Sequence, residues 1–240
     1  MKTAAALLVG LALALPARAQ APAELDRLYA EGRYREVAQR MFVPRDNAEA
    51  RTILGWAQAR VQAAAPHAVA LAYSDLLWQV GEGRADDRLR EEALLVLVYA
   101  VMAVAVDGAK CADTGAPDAR VRQLLGTRQD RFAFGRALPA QRRAEIRNGA
   151  FALELSTSAR RPEDGDICMS GGEEIARQLA TPGTQAQEQP LRPGEVTRTV
   201  DIRPGPTYRP RFLPPETWHG RQSQVRDLLP GVIERLLPAN

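Results

Sequence analysis

The chain has 240 residues, with 32 Lys and Arg against 29 Asp and Glu, and a formal net charge of +3. This small excess argues against a protein that binds nucleic acid or anionic lipid through clustered basic residues. With only two histidines and two cysteines, the chain does not have the set of such ligands at fixed spacing that a zinc site requires. Its length is sufficient for a sizeable single core.

Residues 1–19 have the composition of a secretory signal peptide. Lys2 gives a positive start, an apolar stretch follows from Ala4 to Leu15, and Ala17-Arg18-Ala19 supplies the small residues of a cleavage site. The stretch is too short to span a bilayer, and no cysteine follows it at a lipid-attachment position. We therefore expect a periplasmic or secreted protein, cleaved after Ala19, with no transmembrane span. Removing Lys2 and Arg18 leaves 30 basic and 29 acidic residues.

Residues 20–180 are predicted to form an all-α domain, either a helical bundle or a repeat-like array of helices. The first four helices are indicated by apolar residues at helical spacing and by capping residues. Their expected bounds are Pro22 to Gly32, Tyr34 to Pro44, Asp46 to Val61, and Pro66 to Gly81 or Gly83. These four helices are expected to form two helical hairpins.

The turn of the first hairpin carries a further pattern. Within Leu28–Val37, Gly32 stands two residues before the aromatic Tyr34, and the next hairpin contains Leu54-Gly55. On these residues, the segment 23–80 resembles tetratricopeptide-like helical hairpins, although the ~34-residue period of such repeats does not recur along the chain. The resemblance implies peptide or protein binding on a concave helical face.

The segment Ala93–Val106 has no polar side-chain group except the hydroxyl of Tyr99. A helix that is apolar all round must be surrounded by protein or by lipid. This one would rise only about 21 Å, which is short of the ~30 Å hydrocarbon layer. We therefore expect it to be the central core helix of the bundle, ending at Asp107 and Gly108 with Gly108 in a left-handed conformation.

Further helices are expected at 117–125, 129–136 and 139–160, and another after the Ser-x-x-Glu capping box of Ser170–Glu173. Cys111 follows the core helix and Cys168 precedes this last helix. Thiols pair in an oxidising compartment, so we expect a Cys111–Cys168 disulfide that closes a loop of 57 positions. Such a loop corresponds to roughly 4 kcal/mol in the chain-entropy model. A redox-active or nucleophilic cysteine is the alternative.

From Thr181 to Gln222 the composition changes, because eight of the seventeen prolines fall within these 42 residues. Proline favours extended backbone, with at most one short strand here. The aromatic residues Tyr208, Phe212 and Trp218 argue against disorder, so we expect this proline-rich arm to lie along the helical body and to offer these three as a candidate binding surface. A flexible tail is the alternative. Residues 223–240 are predicted to form an amphipathic helix, kinked or divided at Pro230.

Catalytic patterns are missing from the sequence. No nucleophile elbow accompanies His67 or His219, and we expect solvated or packing roles for both. Glu163–Asp166 has the acidic start of a calcium loop, but apolar and sulfur-containing residues replace the later oxygen ligands. Asp86-Asp87 and Glu173-Glu174 are expected near helix N-termini. The sequence thus predicts no catalytic residue, no cofactor and no metal site.

Two functions remain open at this stage. The first is a non-enzymatic cell-envelope module that binds a protein or peptide, and not nucleic acid. The alternative is an envelope enzyme, or an enzyme accessory, that uses a cleft of Arg and carboxylate groups. A deep cleft with convergent charged groups would favour the enzyme, whereas a broad exposed apolar groove would favour the binding module.

Overall fold

The computed structural model describes residues 20–188 and 200–239. The predicted signal peptide, residues 1–19, therefore lies outside the described residues, as do residues 189–199 of the proline-rich arm. Within the described ranges the chain forms eleven α-helices and one two-stranded antiparallel sheet. The predicted all-α class is confirmed.

The helices are α1 (Gln20–Ala30), α2 (Tyr34–Met41), α3 (Asn47–Gln62), α4 (His67–Arg84), α5 (Asp87–Gly108), α6 (Ala116–Gly126), α7 (Gln129–Ala137), α8 (Ala140–Thr157), α9 (Gly165–Cys168), α10 (Gly172–Ala180) and α11 (Pro215–Leu236). A 3₁₀ turn, Ser158–Arg160, extends α8. The strands β1 (Gln185–Glu188) and β2 (Val200–Arg203) pair with Gln185 opposite Arg203 and Glu188 opposite Val200.

The first two helical hairpins begin as the sequence predicts. Gly32 makes the turn between α1 and α2 with φ +72°, a conformation that glycine adopts at little cost. Asp46 caps α3, because its carboxylate accepts hydrogen bonds from the backbone N–H groups of Ala48 and Glu49 at 2.8 Å.

The end of α4 differs from the prediction. The helix continues through Gly81 and Gly83 to Arg84, and the left-handed residue that follows it is Ala85, with φ 52°. At Gly81, an added Cβ would lie 2.8 Å from Cγ of Arg90 in α5. This glycine therefore lets α5 pass close to α4 instead of ending the helix.

The apolar segment Ala93–Val106 forms the centre of the fold, as predicted. All of its residues except Leu95 and Ala105 are buried. The helix that contains it, α5, packs against α4, α6, α7, α8, α9 and α11. Over residues 20–188 and 200–239, no helix is both long enough and apolar enough to cross a membrane.

Gly108 has a different role from the one predicted. It is the last residue of α5 and does not adopt a positive φ. An added Cβ would lie 2.2 Å from Cβ of Pro117 in α6. Glycine is therefore needed at this position for the close approach of α6 and not for a left-handed helix end.

The predicted disulfide is formed. Cys111 and Cys168 are bonded with their Cα atoms 5.1 Å apart, which lies within the ~4.4–6.8 Å range of disulfides. The bridge joins the segment after α5 to α9. The proline-rich arm is attached at the same place. The backbone of Phe212 forms an isolated antiparallel β-bridge with that of Cys111, and the backbone N–H of Leu213 donates to the carbonyl of Lys110 at 2.7 Å.

The start of α10 does not use the predicted capping box. The hydroxyl of Ser170 donates to the carbonyl of Asp166 instead. Asp113, in the connection between α5 and α6, accepts hydrogen bonds from the backbone N–H groups of Glu173 at 2.9 Å and of Glu174 at 3.2 Å. A residue distant in sequence thus caps this helix, because the fold brings it there.

The predicted bounds of the arm and the last helix need correction. Residues 215–222, assigned to the arm, are helical, and α11 runs from Pro215 through Pro230 to Leu236 as one helix. The arm also contains two short strands instead of one at most. A proline is well tolerated in the first turn of a helix, which explains why the proline-rich composition did not prevent α11 from starting at Pro215.

Candidate functional site

An apolar cavity of about 420 Å³ lies between α5, α6 and α11. Its lining comes from all three helices and from the segment that joins α5 to α6. The lining residues are Val101, Ala105, Gly108, Ala109, Thr114, Pro117, Asp118, Val121, Arg221, Gln224, Val225, Leu228, Leu229 and Val232. Nine of these residues are alanine, proline, valine or leucine. We call this space the apolar cavity.

The wall of the apolar cavity formed by α11 follows from helical spacing. Arg221, Val225, Leu228 and Val232 are separated by four, three and four positions, so they share one face of the helix. Ile233 is on the neighbouring face and is fully buried in the core. The last helix thus presents two apolar faces, of which only one is covered.

Among the large apolar side chains that line the apolar cavity, Leu228 is the most exposed. It is 69% exposed, although most large apolar side chains in the described part of the chain are buried. Contiguous exposed apolar surface beside a cavity is typical of interaction sites. The cavity therefore offers a place where apolar groups of another molecule would be removed from water.

Two charged residues line the same cavity. Arg221 belongs to α11 and Asp118 to α6. Within the described ranges, neither side chain takes part in a hydrogen bond or an ion pair. Both groups are therefore free to bind polar atoms of a molecule whose apolar part fills the cavity.

Arginine and carboxylate groups also converge in the molecule, but in its interior. Arg161 donates from Nε to Asp107 at 2.5 Å and from Nη2 to Glu154 at 2.8 Å. These side chains are 2%, 6% and 2% exposed, respectively. Burial lowers the pKa of Arg161, but the two carboxylates outweigh it and raise that pKa overall. None of the three residues lines the apolar cavity.

The interior cluster, formed by Arg161, Asp107 and Glu154, connects separate elements. Lys110 lies 3.4 Å from the second oxygen of Asp107 and donates to the carbonyl of Arg161 at 3.3 Å. From α11, Arg226 reaches Glu154 at 3.3 Å. The cluster thereby ties α5, α8 and α11 together, and we assign it a structural role.

A polar cavity of about 390 Å³ lies between the α1–α2 turn and the loop before α9. Its lining residues are Gly32, Arg33, Tyr34, Arg35, Glu36, Glu163, Asp164, Gly165, Asp166, Met169 and Pro210. Its arginines already have partners, since Arg33 pairs with Glu31 and Glu36, and Arg35 lies 3.5 Å from Asp166. In the described part of the chain, no group of three or more His, Cys, Asp or Glu residues could hold a metal ion.

His67 is buried behind this polar cavity, at the start of α4. Its Nδ1 lies 2.5 Å from Oδ2 of Asp164, and Nε of Arg120 donates to its Nε2 at 3.2 Å. Because Nε2 accepts, the hydrogen bonds assign the proton to Nδ1 and a neutral ring. Burial raises the pKa of Asp164, but its interactions with His67 and with backbone N–H groups outweigh this and lower it. Burial also lowers the pKa of Arg120.

The three aromatic residues predicted as a candidate binding surface pack against the helical body. Tyr208 is buried, and its hydroxyl donates to Glu174 at 2.7 Å; burial and this bond raise its pKa. Phe212 is half-buried opposite Cys111. Trp218 is half-buried, with the ammonium of Lys110 5.4 Å from its ring centre. Tyr208, in particular, is not available to a partner at the surface.

The apolar cavity was not recognised in the sequence. One pattern could have indicated it, because the apolar residues of the last helix cover more than one face: Val225, Leu228 and Val232 accompany Leu229, Ile233 and Leu236. The width of this stripe exceeds what packing on one side requires.

Comparisons with protein-family models, curated proteins and solved structures found no match for the chain.

Proposed function

We propose that this protein is an exported, non-enzymatic helical module of the cell envelope that binds a protein or peptide at the apolar cavity. The observation that carries the proposal is Leu228, 69% exposed beside a largely apolar space of about 420 Å³. Binding sites combine such concave apolar lining with a few polar groups, and Asp118 and Arg221 supply the polar groups here.

The dimensions of the apolar cavity suit the side chains of a partner segment. Sites for small ligands measure roughly 300–1,000 Å³, so about 420 Å³ holds a few apolar side chains. Two helices, α6 and α11, flank the opening over α5, and an amphipathic helix bound between helices inserts apolar residues at regular spacing. Unpaired Arg221 and Asp118 would then contact the polar edge of the bound segment.

Export is part of the proposal and has two sources of support. Residues 1–19 carry the charge and apolar pattern of a signal peptide, with Ala17-Arg18-Ala19 at the cleavage site. The Cys111–Cys168 disulfide fits an oxidising compartment, where such bonds persist. The tetratricopeptide-like pattern of residues 23–80 also supports a binding role, although its hairpins lie apart from the apolar cavity.

The enzyme alternative has less support. It would place chemistry in the polar cavity, where Glu163 and Asp166 face Arg35. The guanidinium groups there already pair with carboxylates, whereas a cleft that binds a charged substrate needs unpaired ones. The other Arg and carboxylate cluster, around Arg161, is sealed from solvent.

Affinity capture from envelope extracts tests the proposal when two matched variants are compared. Leu228→Asp places a charge in the apolar cavity, whereas Leu155→Asp makes the same change on α8 at a side chain that is 64% exposed. We expect the unmodified protein and Leu155→Asp to capture the same partner, and Leu228→Asp to lose it. Equal capture by both variants, or no specific partner in any extract, would contradict the proposed site.

A further inference from the structure

We propose that His67 is a pH-sensitive latch that holds α6 in place, and that its protonation releases this wall of the apolar cavity. The latch itself stands on the contacts of His67, whereas its effect on partner binding rests on the proposed function. Three elements meet at the ring: the start of α4, the middle of α6 and the loop before α9.

The ring of His67 bridges a cation and an anion. On one side, Nε and Nη2 of Arg120 lie 3.2 and 3.1 Å from Nε2. On the other side, Nδ1 lies 2.5 Å from Asp164. Only a neutral ring with its proton on Nδ1 can accept from Arg120 and donate to Asp164 at once.

Protonation breaks one of these two contacts and keeps the other. In the charged ring, Nε2 also carries a proton, which faces the N–H groups of Arg120. Two hydrogen-bond donors then oppose each other, and the positive charges of the imidazolium and the guanidinium lie close together. The side chain of His67 is only 1% exposed, and water therefore screens this repulsion poorly. The contact with Asp164 strengthens, because a carboxylate stabilises the imidazolium.

Arg120 has other partners available once it leaves the ring. Its Nη1 already donates to Gln123 at 2.6 Å. Asp166 is close enough to attract the guanidinium, as Asp164 is, whereas Arg35 and Arg128 repel it. The only ion pair of Asp166 in the described ranges is the long one, 3.5 Å, with Arg35. A shift of Arg120 from His67 toward Asp166 thus gives the latch a second state.

The position of Arg120 on α6 links the latch to the apolar cavity. Ala116, Arg120 and Leu124 follow each other at intervals of four and share one helix face, and Ala116 and Leu124 are buried against the body. The cavity is lined by Pro117 and Val121, which directly follow Ala116 and Arg120 in the sequence of α6. When Arg120 moves from His67 to Asp166, the middle of α6 is no longer held against the start of α4, and this wall of the cavity can shift.

The protein has only two histidines, so nitrogen-15 NMR of histidine-labelled exported protein can follow each ring. The variant His219→Gln leaves His67 as the single signal and, because His219 is exposed, should not change the behaviour of α6. At about pH 8 we expect the Nδ1-protonated tautomer of His67. The same signals are then followed as the pH is lowered, because they detect a charged ring directly.

Hydrogen exchange of the α6 amides, corrected for the intrinsic effect of pH, should accelerate roughly tenfold once the nitrogen-15 signals show a charged ring. This is the change expected when one hydrogen bond to a charged group is lost. In Arg120→Ala, exchange in α6 should be fast at every pH while α3 stays protected. An Nε2-protonated tautomer at pH 8, or α6 exchange that is unchanged when His67 is protonated, would overturn the latch. A partner that binds equally well in both states would contradict the link to the cavity and leave the latch intact.

Discussion

Arg161 donates a hydrogen bond to Asp107 at 2.5 Å, although both side chains are almost completely removed from solvent. Placing charges in a protein interior costs solvation free energy that only close pairing offsets. Here a second carboxylate, Glu154, and the hydroxyl of Thr157 at 2.9 Å complete the partners of the guanidinium. The pair fixes the end of α5 against the end of α8.

Replacing this guanidinium should be strongly destabilising. We expect Arg161→Met to lower the free energy of unfolding by about 3–5 kcal/mol, because it leaves Asp107 and Glu154 buried without their main partner. Arg142→Met should cost far less, since Arg142 is 47% exposed where it pairs with Glu91 and Glu145 and water screens these pairs. Denaturant unfolding of both variants measures the difference, and equal losses would refute the structural role of the interior cluster.

The cap that Asp113 provides to α10 should be visible as local stability. Asp113→Ala removes the acceptor for the N–H groups of Glu173 and Glu174, at a cost of about 1–2 kcal/mol. Amide exchange should accelerate in α10 and remain unchanged in α3. Asp46→Ala should give the reverse pattern, because Asp46 caps α3. Fast exchange in α10 of the unmodified protein would show that this cap does not form.

Glu49 should make the protein sensitive to acid. Hydrogen bonds from the side chain and backbone N–H of Arg45, together with Arg40, lower its pKa from 4.5 to about 2. A carboxyl group with a lowered folded pKa contributes stability above its unfolded pKa, and this contribution is lost as the pH falls toward the folded value. Stability should therefore decline between about pH 4.5 and pH 2.

The variant Glu49→Gln isolates this contribution. It should be less stable than the unmodified protein at pH 7 and should lose less stability on acidification, because the amide does not titrate. Thermal unfolding measured at both ends of the pH range gives the comparison. Parallel curves for the two proteins would mean that the ion pairs of Glu49 do not contribute.

Features that depend on neighbouring residues were predictable from the sequence. Asp46 caps the helix that follows it, the apolar run Ala93–Val106 forms the core helix, and the two cysteines pair because the chain offers no others. Each of these follows from local chemistry or composition. The tertiary partners of these elements do not appear in any such pattern.

The features that were missed depend on distant residues. Asp113 caps a helix that begins about sixty positions later, and Gly108 is needed because Pro117 packs against it. His67 meets Arg120 and Asp164 only after three elements have packed together. The apolar cavity depends likewise on how α6 and α11 are spaced over α5, which no single helix determines.

Site-specific photo-cross-linking in the native envelope is the most direct test of the proposed function. A benzophenone amino acid replaces Leu228 in one protein and Leu155 in the other, so that two similarly exposed leucines, 69% and 64%, report on different faces. We predict a discrete cross-linked partner from position 228 and none from position 155. Cross-linking from position 155 alone, or from neither position, would contradict binding at the apolar cavity.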